Sequence, residues 1–394
     1  MDMDSVLRGF VDSGRAAGVS ALICDRGRES YFGCYGAADM ASGRAFERDT
    51  LCCVYSMTKV VTSAALLTLV DAGGVGLDQP ISDICPEYAH MRRVRRVPRS
   101  DAVEIVAAQT PLTFRHLLTM TSGMLSSGDD ATPEERAVHA HMEELTARMR
   151  RGEEPGGTPY TAARLAREMA ELPLAFEPGA RWHYGVSLDV VGGLIEIVTG
   201  MSLEQYMKAA IFDKLGMRDT YFSVPESERG RMASIYTLSG GALAPWRSQG
   251  GMPFVNARAL CSGGAGLIMT IDDYARYANM LALGGELDGV RVLSGESVRL
   301  MRSDMLADAI KPSFNWIEER GYTYGLAVRV MREPSRSSYR EQPGAFGWNG
   351  MAGTSVRIYP EEGRTALFFI QLVPAMHANY LPAFVQAANG VARP

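Results

Sequence analysis

A chain of 394 residues, 46% hydrophobic and 22% charged, has the length and apolar content to bury a large core as one big domain or two interlocked ones. Its net charge of −5 leaves no clustered positive field for phosphates, so no nucleic-acid partner is expected. Met1-Asp2-Met3-Asp4 is acidic where a secretory leader would be basic, and no apolar run reaches membrane-spanning length, so a soluble, cytoplasmic protein with no membrane span is expected.

The early sequence reads as two strands, 19–25 (VSALICD) and 29–35, separated by the turn-forming Arg26-Gly27-Arg28. The apolar, extended Leu51-Cys52-Cys53-Val54-Tyr55 leads into a helix over 56–71 that stops at Gly73-Gly74. The basic run at 92–99 (RRVRRVPR) reads as a solvated loop or helix face. A short helix at 113–119 precedes the breaker Ser122-Gly123. From 126 to 159 the chain is polar and rich in Gly and Pro around a helical stretch at 133–151, as in a long lid or insertion. Further helices are expected at 161–171, at 188–199 stopped by Gly200, and at 203–215 stopped by Gly216. Two late strands, 354–359 and 365–373, are joined through Pro360-Glu361-Glu362-Gly363. If early and late strands pair, the result is an α/β (α+β) architecture with a mixed sheet built from both ends of the chain. The expected division is a sheet domain of residues 1–84 and 219–394 and a mostly helical domain of residues 85–218.

Six cysteines, Cys24, Cys34, Cys52, Cys53, Cys85 and Cys261, show no CxxC pairing and read as buried reduced thiols rather than a zinc or disulfide framework. The only close histidine pair, His139-Ala140-His141, falls in the polar insert and reads as part of a solvated helix. No GxxxxGK[ST] loop and no Gly-x-Ser-x-Gly pentapeptide is present. No metal and no cofactor is expected.

The pattern that carries chemistry is Ser56-Met57-Thr58-Lys59. The chain has only four lysines, Lys59, Lys208, Lys214 and Lys311, so an SxxK would arise by chance roughly 0.3 times. Serine and lysine three apart on a helix share a face, which lets the amine take the hydroxyl proton. A serine at a helix start also has an unpaired amide N–H beside the positive end of the dipole. On these residues alone, an N-cap serine followed by a first-turn surface lysine is the better reading, because N-cap serines are common.

Further segments lie in order downstream: Leu117-Leu118-Thr119-Met120-Thr121-Ser122-Gly123, then Phe176-Glu177-Pro178-Gly179 leading to Tyr184 and a helix ending Val198-Thr199-Gly200. Ser262-Gly263-Gly264-Ala265-Gly266-Leu267 precedes Asp273-Tyr274, and Gly347-Trp348-Asn349-Gly350 precedes a late strand. Together, over roughly residues 7–373, they resemble the serine β-lactamase and penicillin-binding-protein superfamily. The closer likeness is to its class C-like branch, with the family VIII carboxylesterases and related acyltransferases. The resemblance implies an antiparallel sheet flanked by helices with a mostly helical inserted domain, and a small-molecule ester or amide as substrate. It implies Ser56 as the acylated nucleophile, Lys59 as the group that takes its proton, and Tyr184 as the second acid/base group. The third motif, expected on an edge strand, would be Trp348, Asn349 and Gly350, with Gly350 admitting the substrate backbone. The Ser56 and Met351 N–H groups would form the oxyanion hole.

The chain departs from the β-lactamase pattern at two points. Val186 stands where Tyr-x-Asn has its asparagine and cannot hydrogen-bond a substrate amide; Trp348 stands where a lysine would hold a carboxylate. Both resemble the esterase branch, so the expected function is a carboxylesterase or acyltransferase on small or medium apolar acyl esters. A β-lactamase, a D-amino-acid amidase or D-peptidase on the same fold, and a non-catalytic binding protein remain the alternatives. The 126–159 insert and the 225–254 segment, with Tyr236, Trp246 and Phe254, are expected to line or cover the cleft.

Overall fold

The computed structural model describes residues 2–126, 131–151, 160–246, 260–339, 341–375 and 377–393. The early and late strands pair. The main sheet contains β1 (Gly18–Asp25), β2 (Arg28–Asp39), β3 (Arg44–Ala45), β4 (Tyr322–Tyr324), β5 (Arg329–Met331), β6 (Phe346–Asn349), β7 (Ser355–Tyr359) and β8 (Arg364–Ile370). Its spatial order is β4-β5-β6-β7-β8-β1-β2-β3, and every neighbouring pair is antiparallel. The sheet is therefore antiparallel throughout, as the family resemblance implied, and not mixed; the tight connections β1–β2, β4–β5, β6–β7 and β7–β8 are too short for a parallel crossover. The seam between the two halves of the chain is β1 on β8, from Val19 opposite Ile370 to Asp25 opposite Arg364. A buried Arg364–Asp25 ion pair at 3.6 Å closes its end.

The helices are α1 (Met3–Asp12), α2 (Thr58–Asp71), α3 (Phe114–Leu118), α4 (Pro133–Arg151), α5 (Ala162–Met169), α6 (Ser187–Thr199), α7 (Leu203–Met207), α8 (Asp213–Leu215), α9 (Ile271–Ala282), α10 (Gly295–Met301) and α11 (Leu381–Gly390). All eight residues of β1 are buried because helices cover both faces of the sheet. Successive residues of β8 point to opposite layers: Phe368 meets Phe10 of α1 and Phe384 of α11, whereas Phe369 meets Tyr274 of α9. The expected helix stops hold, with Gly200 and Gly216 in left-handed C-cap conformations. The 203–215 helix is interrupted by a π turn, Lys208–Phe212.

Most of the basic run is neither loop nor helix face, and only residues 97–99 lie in a turn. Arg92–Arg96 pairs with Val103–Ala107 as a hairpin whose Val94 is buried, while Arg95 and Arg96 are exposed and pair with Glu104 and Asp101. A valine alternating with arginines is a period-two pattern, and that periodicity prevailed.

Helix α2 is buried on every side from Thr58 to Leu67, as expected of a helix apolar all round. Tyr274 and Tyr277 of α9 donate to the Met57 and Val60 carbonyls at 3.0 and 2.8 Å. A small three-stranded sheet, Cys52–Cys53 with Ile268–Met269 and Thr220–Tyr221, holds the strand that enters α2. All six cysteines are free, with Cys24, Cys52, Cys53 and Cys85 buried. Among the described residues, no helix is long and apolar enough to cross a membrane.

Candidate active site

The chain reaches Ser56 through a strained corner. Tyr55, 7% exposed, has φ +44°, a conformation that costs a bulky residue about 1–3 kcal/mol and persists only when its surroundings over-determine it. Those surroundings are an apolar cluster of Leu51, Val224, Ile235, Ile268 and Ala352, together with a 3.1 Å hydrogen bond from Val54 N–H to the Leu267 carbonyl. A 3₁₀ turn, Tyr55–Met57, follows, and α2 starts at Thr58 with Met57 as its cap residue and no side-chain cap. Ser56 is thus not an N-cap, and its hydroxyl is free for another task. Lys59 is not a surface lysine either: it is 4% exposed. Its Nζ lies 3.4 Å from Ser56 Oγ, donates to the Gly264 carbonyl at 2.8 Å, and sits 4.7 Å from the centre of the Tyr184 ring.

Two of the sequence segments meet to place Tyr184. Gly179 N–H donates to the Thr121 carbonyl and His183 N–H to the Met120 carbonyl, each at 2.8 Å, while Trp182 N–H donates to Ser313 Oγ at 2.7 Å. The Tyr184 ring stacks on Trp348, centroids 5.7 Å apart, and its hydroxyl accepts from the Trp348 indole N–H at 3.4 Å. Trp316 packs against both Tyr184 and Trp182 at 5.1 Å, and Tyr324 meets Trp348 edge-on at 5.4 Å.

The third segment departs from expectation in two respects. Strand β6 is not an edge strand but lies between β5 and β7. Its ladder with β5 ends at Gly347 opposite Arg329, however, so Trp348 and Asn349 extend past that neighbour. Gly350 also has a different reason to be glycine: a Cβ there would lie 2.4 Å from the Val54 carbonyl oxygen and 2.2 Å from Thr354 Oγ1. The close approach is made by the chain itself, docking this turn on the residue two before Ser56. Trp348 is buried, and Asn349 Oδ1 accepts from Arg329 Nη2 (2.9 Å) and Ser355 Oγ (2.8 Å), so that oxygen serves the sheet. Met351 is exposed, and among the described residues its N–H has no acceptor.

Ser56, Lys59, Tyr184 and Trp348 are therefore brought together, with Asn349 turned aside. Sequence reasoning missed Asp189, the Gly264 carbonyl, Trp182, Trp316 and Arg329. The density of glycine at 263–266 was the one available signal for a chain segment pressed against its neighbours. Arg329 is buried and pairs with Glu319 at 3.1 Å, whose carboxyl burial pushes up. His377, beside Gly350 and Arg329, is held down at about 4, chiefly by burial, and is neutral at pH 7. A cleft of about 570 Å³ opens on the far side of Trp316, lined by Phe314, Trp316 and Tyr322 but mostly by polar and charged residues such as Lys311, Glu319 and Arg320, and none of Ser56, Lys59, Tyr184 and Trp348 lines it. Among the described residues no group of His, Cys, Asp or Glu could hold a metal ion. Phe254 lies outside the described residues, as does part of the 126–159 insert.

Comparison with known proteins gives the chain a family. A family model described as Beta-lactamase matches residues 3–389. Acyltransferase calJ of Penicillium decumbens is 33% identical over 82% of this chain and 75% of its own. Esterase EstB of Burkholderia gladioli is 28% identical over 90% of this chain and 85% of its own. Among solved structures, EstCE1, a hydrolase with promiscuous acyltransferase activity, superposes with a TM-score of 0.80 at 22% identity, covering 98% of this chain and 97% of that one.

Proposed function

Because the chain belongs to the Beta-lactamase family, we propose that it is a serine carboxylesterase or acyltransferase that works through an acyl-enzyme on Ser56. The observation that carries this reading is Lys59 Nζ, buried, 3.4 Å from Ser56 Oγ and beneath the Tyr184 ring. Ser56 Oγ attacks the ester carbonyl as its proton passes to Lys59. The oxyanion is bound by the Ser56 and Met351 N–H groups, each worth roughly 3 kcal/mol of barrier. Tyr184 supplies the proton for the departing alcohol, then accepts one from the water or second alcohol that releases the acyl group. The relatives' names, an esterase and an acyltransferase, support both fates of the acyl-enzyme.

Val186 and Trp348 orient the preference. Neither supplies the amide contact nor the positive charge that a carboxylate-bearing lactam would need, and the aromatic wall of Trp182, Tyr184, Trp316 and Trp348 favours an apolar substrate. The site is expected to hydrolyse p-nitrophenyl butyrate, to label with a fluorophosphonate at Ser56, and to lose about 10³-fold or more of its rate on Ser56→Ala. Ester hydrolysis that survives Ser56→Ala would sink the proposal, and nitrocefin turned over faster than every ester would reverse the preference.

A further inference from the structure

Lys59 is held by a main-chain carbonyl, and the loop that supplies it has a second anchor. Ser262-Gly263-Gly264 lies between α2 and α6. From α2, Thr62 Oγ1 donates to the Gly263 carbonyl at 2.6 Å and Lys59 Nζ to the Gly264 carbonyl at 2.8 Å. These two donors are three residues apart and share a helix face. From α6, Asp189 Oδ1 accepts from Ser262 Oγ at 2.5 Å and from Gly264 N–H at 3.1 Å. The fit has no slack, because a Cβ on Gly264 would lie 2.4 Å from Asp189 Oδ2. Asp189 and Lys59 thus grip the two ends of one residue, its N–H and its carbonyl.

We propose that Asp189 is a positioning residue for acylation: through the 262–264 loop it fixes the carbonyl that aims Lys59 Nζ at Ser56 Oγ. This inference rests on the acyl-enzyme reading of Ser56. Lysine has a long, freely rotating stem, and Val186 offers it no side-chain acceptor, so the Gly264 carbonyl carries its orientation. The 3.4 Å separation between Nζ and Oγ leaves little tolerance, and a misplacement of about 1 Å costs on the order of 100-fold. Asp189 also sits in the first turn of α6, where its charge favours the helix start; a role limited to that would affect folding and not the chemical step.

The experiment compares the wild-type protein with Ser56→Ala, Asp189→Asn, Asp189→Ala and Ser262→Ala. It measures kcat and KM on p-nitrophenyl butyrate, the rate of Ser56 labelling by a fluorophosphonate, and Tm. Asp189→Asn keeps the shape and an oxygen able to accept both bonds but removes the charge that strengthens them, so kcat and labelling are expected to fall about 10-fold; Asp189→Ala removes both bonds and is expected to cost about 100-fold. KM is expected to stay within about twofold, since substrate contacts are untouched. If Asp189→Ala does not fold, Asp189→Asn and Ser262→Ala carry the test. Unchanged kcat and unchanged labelling in both of those, with or without a lower Tm, would overturn the inference. Activity that persists in Ser56→Ala would instead overturn the acyl-enzyme reading, so the two failures are distinct.

Discussion

Gly350→Ala separates the fold's use of the 349–351 turn from its chemistry. The added Cβ would stand 2.4 Å from the Val54 carbonyl oxygen and 2.2 Å from Thr354 Oγ1. Thr354 Oγ1 itself donates to the Val54 carbonyl at 3.3 Å, and Gly350 N–H donates to the Thr354 carbonyl at 2.7 Å. The methyl can be housed only by lifting the turn off the Ser56 corner, because its neighbours are backbone and a short side chain. Overpacking of this kind costs about 1–3 kcal/mol of stability. If Met351 N–H is an oxyanion donor, the same lift withdraws it, and a lost donor costs about 100- to 1,000-fold in kcat. The assay is kcat on p-nitrophenyl butyrate per mole of folded protein, at a temperature well below the Tm of both forms. A variant with lowered Tm and a kcat within threefold of wild type would show that Met351 N–H binds no oxyanion. A variant with neither change would refute the close-packed docking itself.

Lys59→Met fills the same buried space without a base, so ester hydrolysis should fall by about 10²–10⁴-fold. The orphaned Gly264 carbonyl should cost about 1–3 kcal/mol in denaturant unfolding; retention of more than a tenth of wild-type kcat would exclude Lys59 as the base. Tyr184→Phe preserves the ring over Lys59 and against Trp348 but removes the hydroxyl, so kcat should drop about 100-fold or more with KM little changed, read by steady-state kinetics. Asp273 accepts from Asp219 N–H and Thr220 Oγ1 at 2.7 and 2.8 Å, and burial lifts its carboxyl to about 6 from the usual 3.8. A carboxyl raised on folding favours the native state below its unfolded pKa, and that advantage is lost as pH climbs through 6, at a cost of up to about 3 kcal/mol. Asp273→Asn should therefore raise Tm at pH 7.5 and change it little at pH 3.5; an equal shift at both would contradict the linkage.

The sequence made most helices legible because their stops are chemical, and Gly200 and Gly216 cap where they were expected to. It also suggested the joining of early and late strands, whose apolar runs could pair into one sheet, and β1 does lie between β2 and β8. The basic run misled because charge density was weighed above the period-two placement of Val94. Strand β6 misled because an edge is a property of what lies alongside, and β4 and β5 are too short to announce themselves. The nucleophile and its lysine were local and visible. The contacts that aim them are not local: Asp189 reaches residues 262 and 264, and Arg329 reaches Asn349 on the neighbouring strand. No periodicity within a window of one helix or strand encodes such pairings.

The docking of Thr354 on Val54 spans 300 residues of chain. On a ribosome the serine corner emerges early, and the turn that bears Met351 follows only after most of the remaining sequence has been made. Until then β1 lacks β8, and the pocket around Tyr184 lacks Trp316 and Trp348. The site is thus closed by the long-range pairing of β1 with β8, which brings Val54, near the serine, and Thr354, near Met351, into contact across the length of the sheet domain.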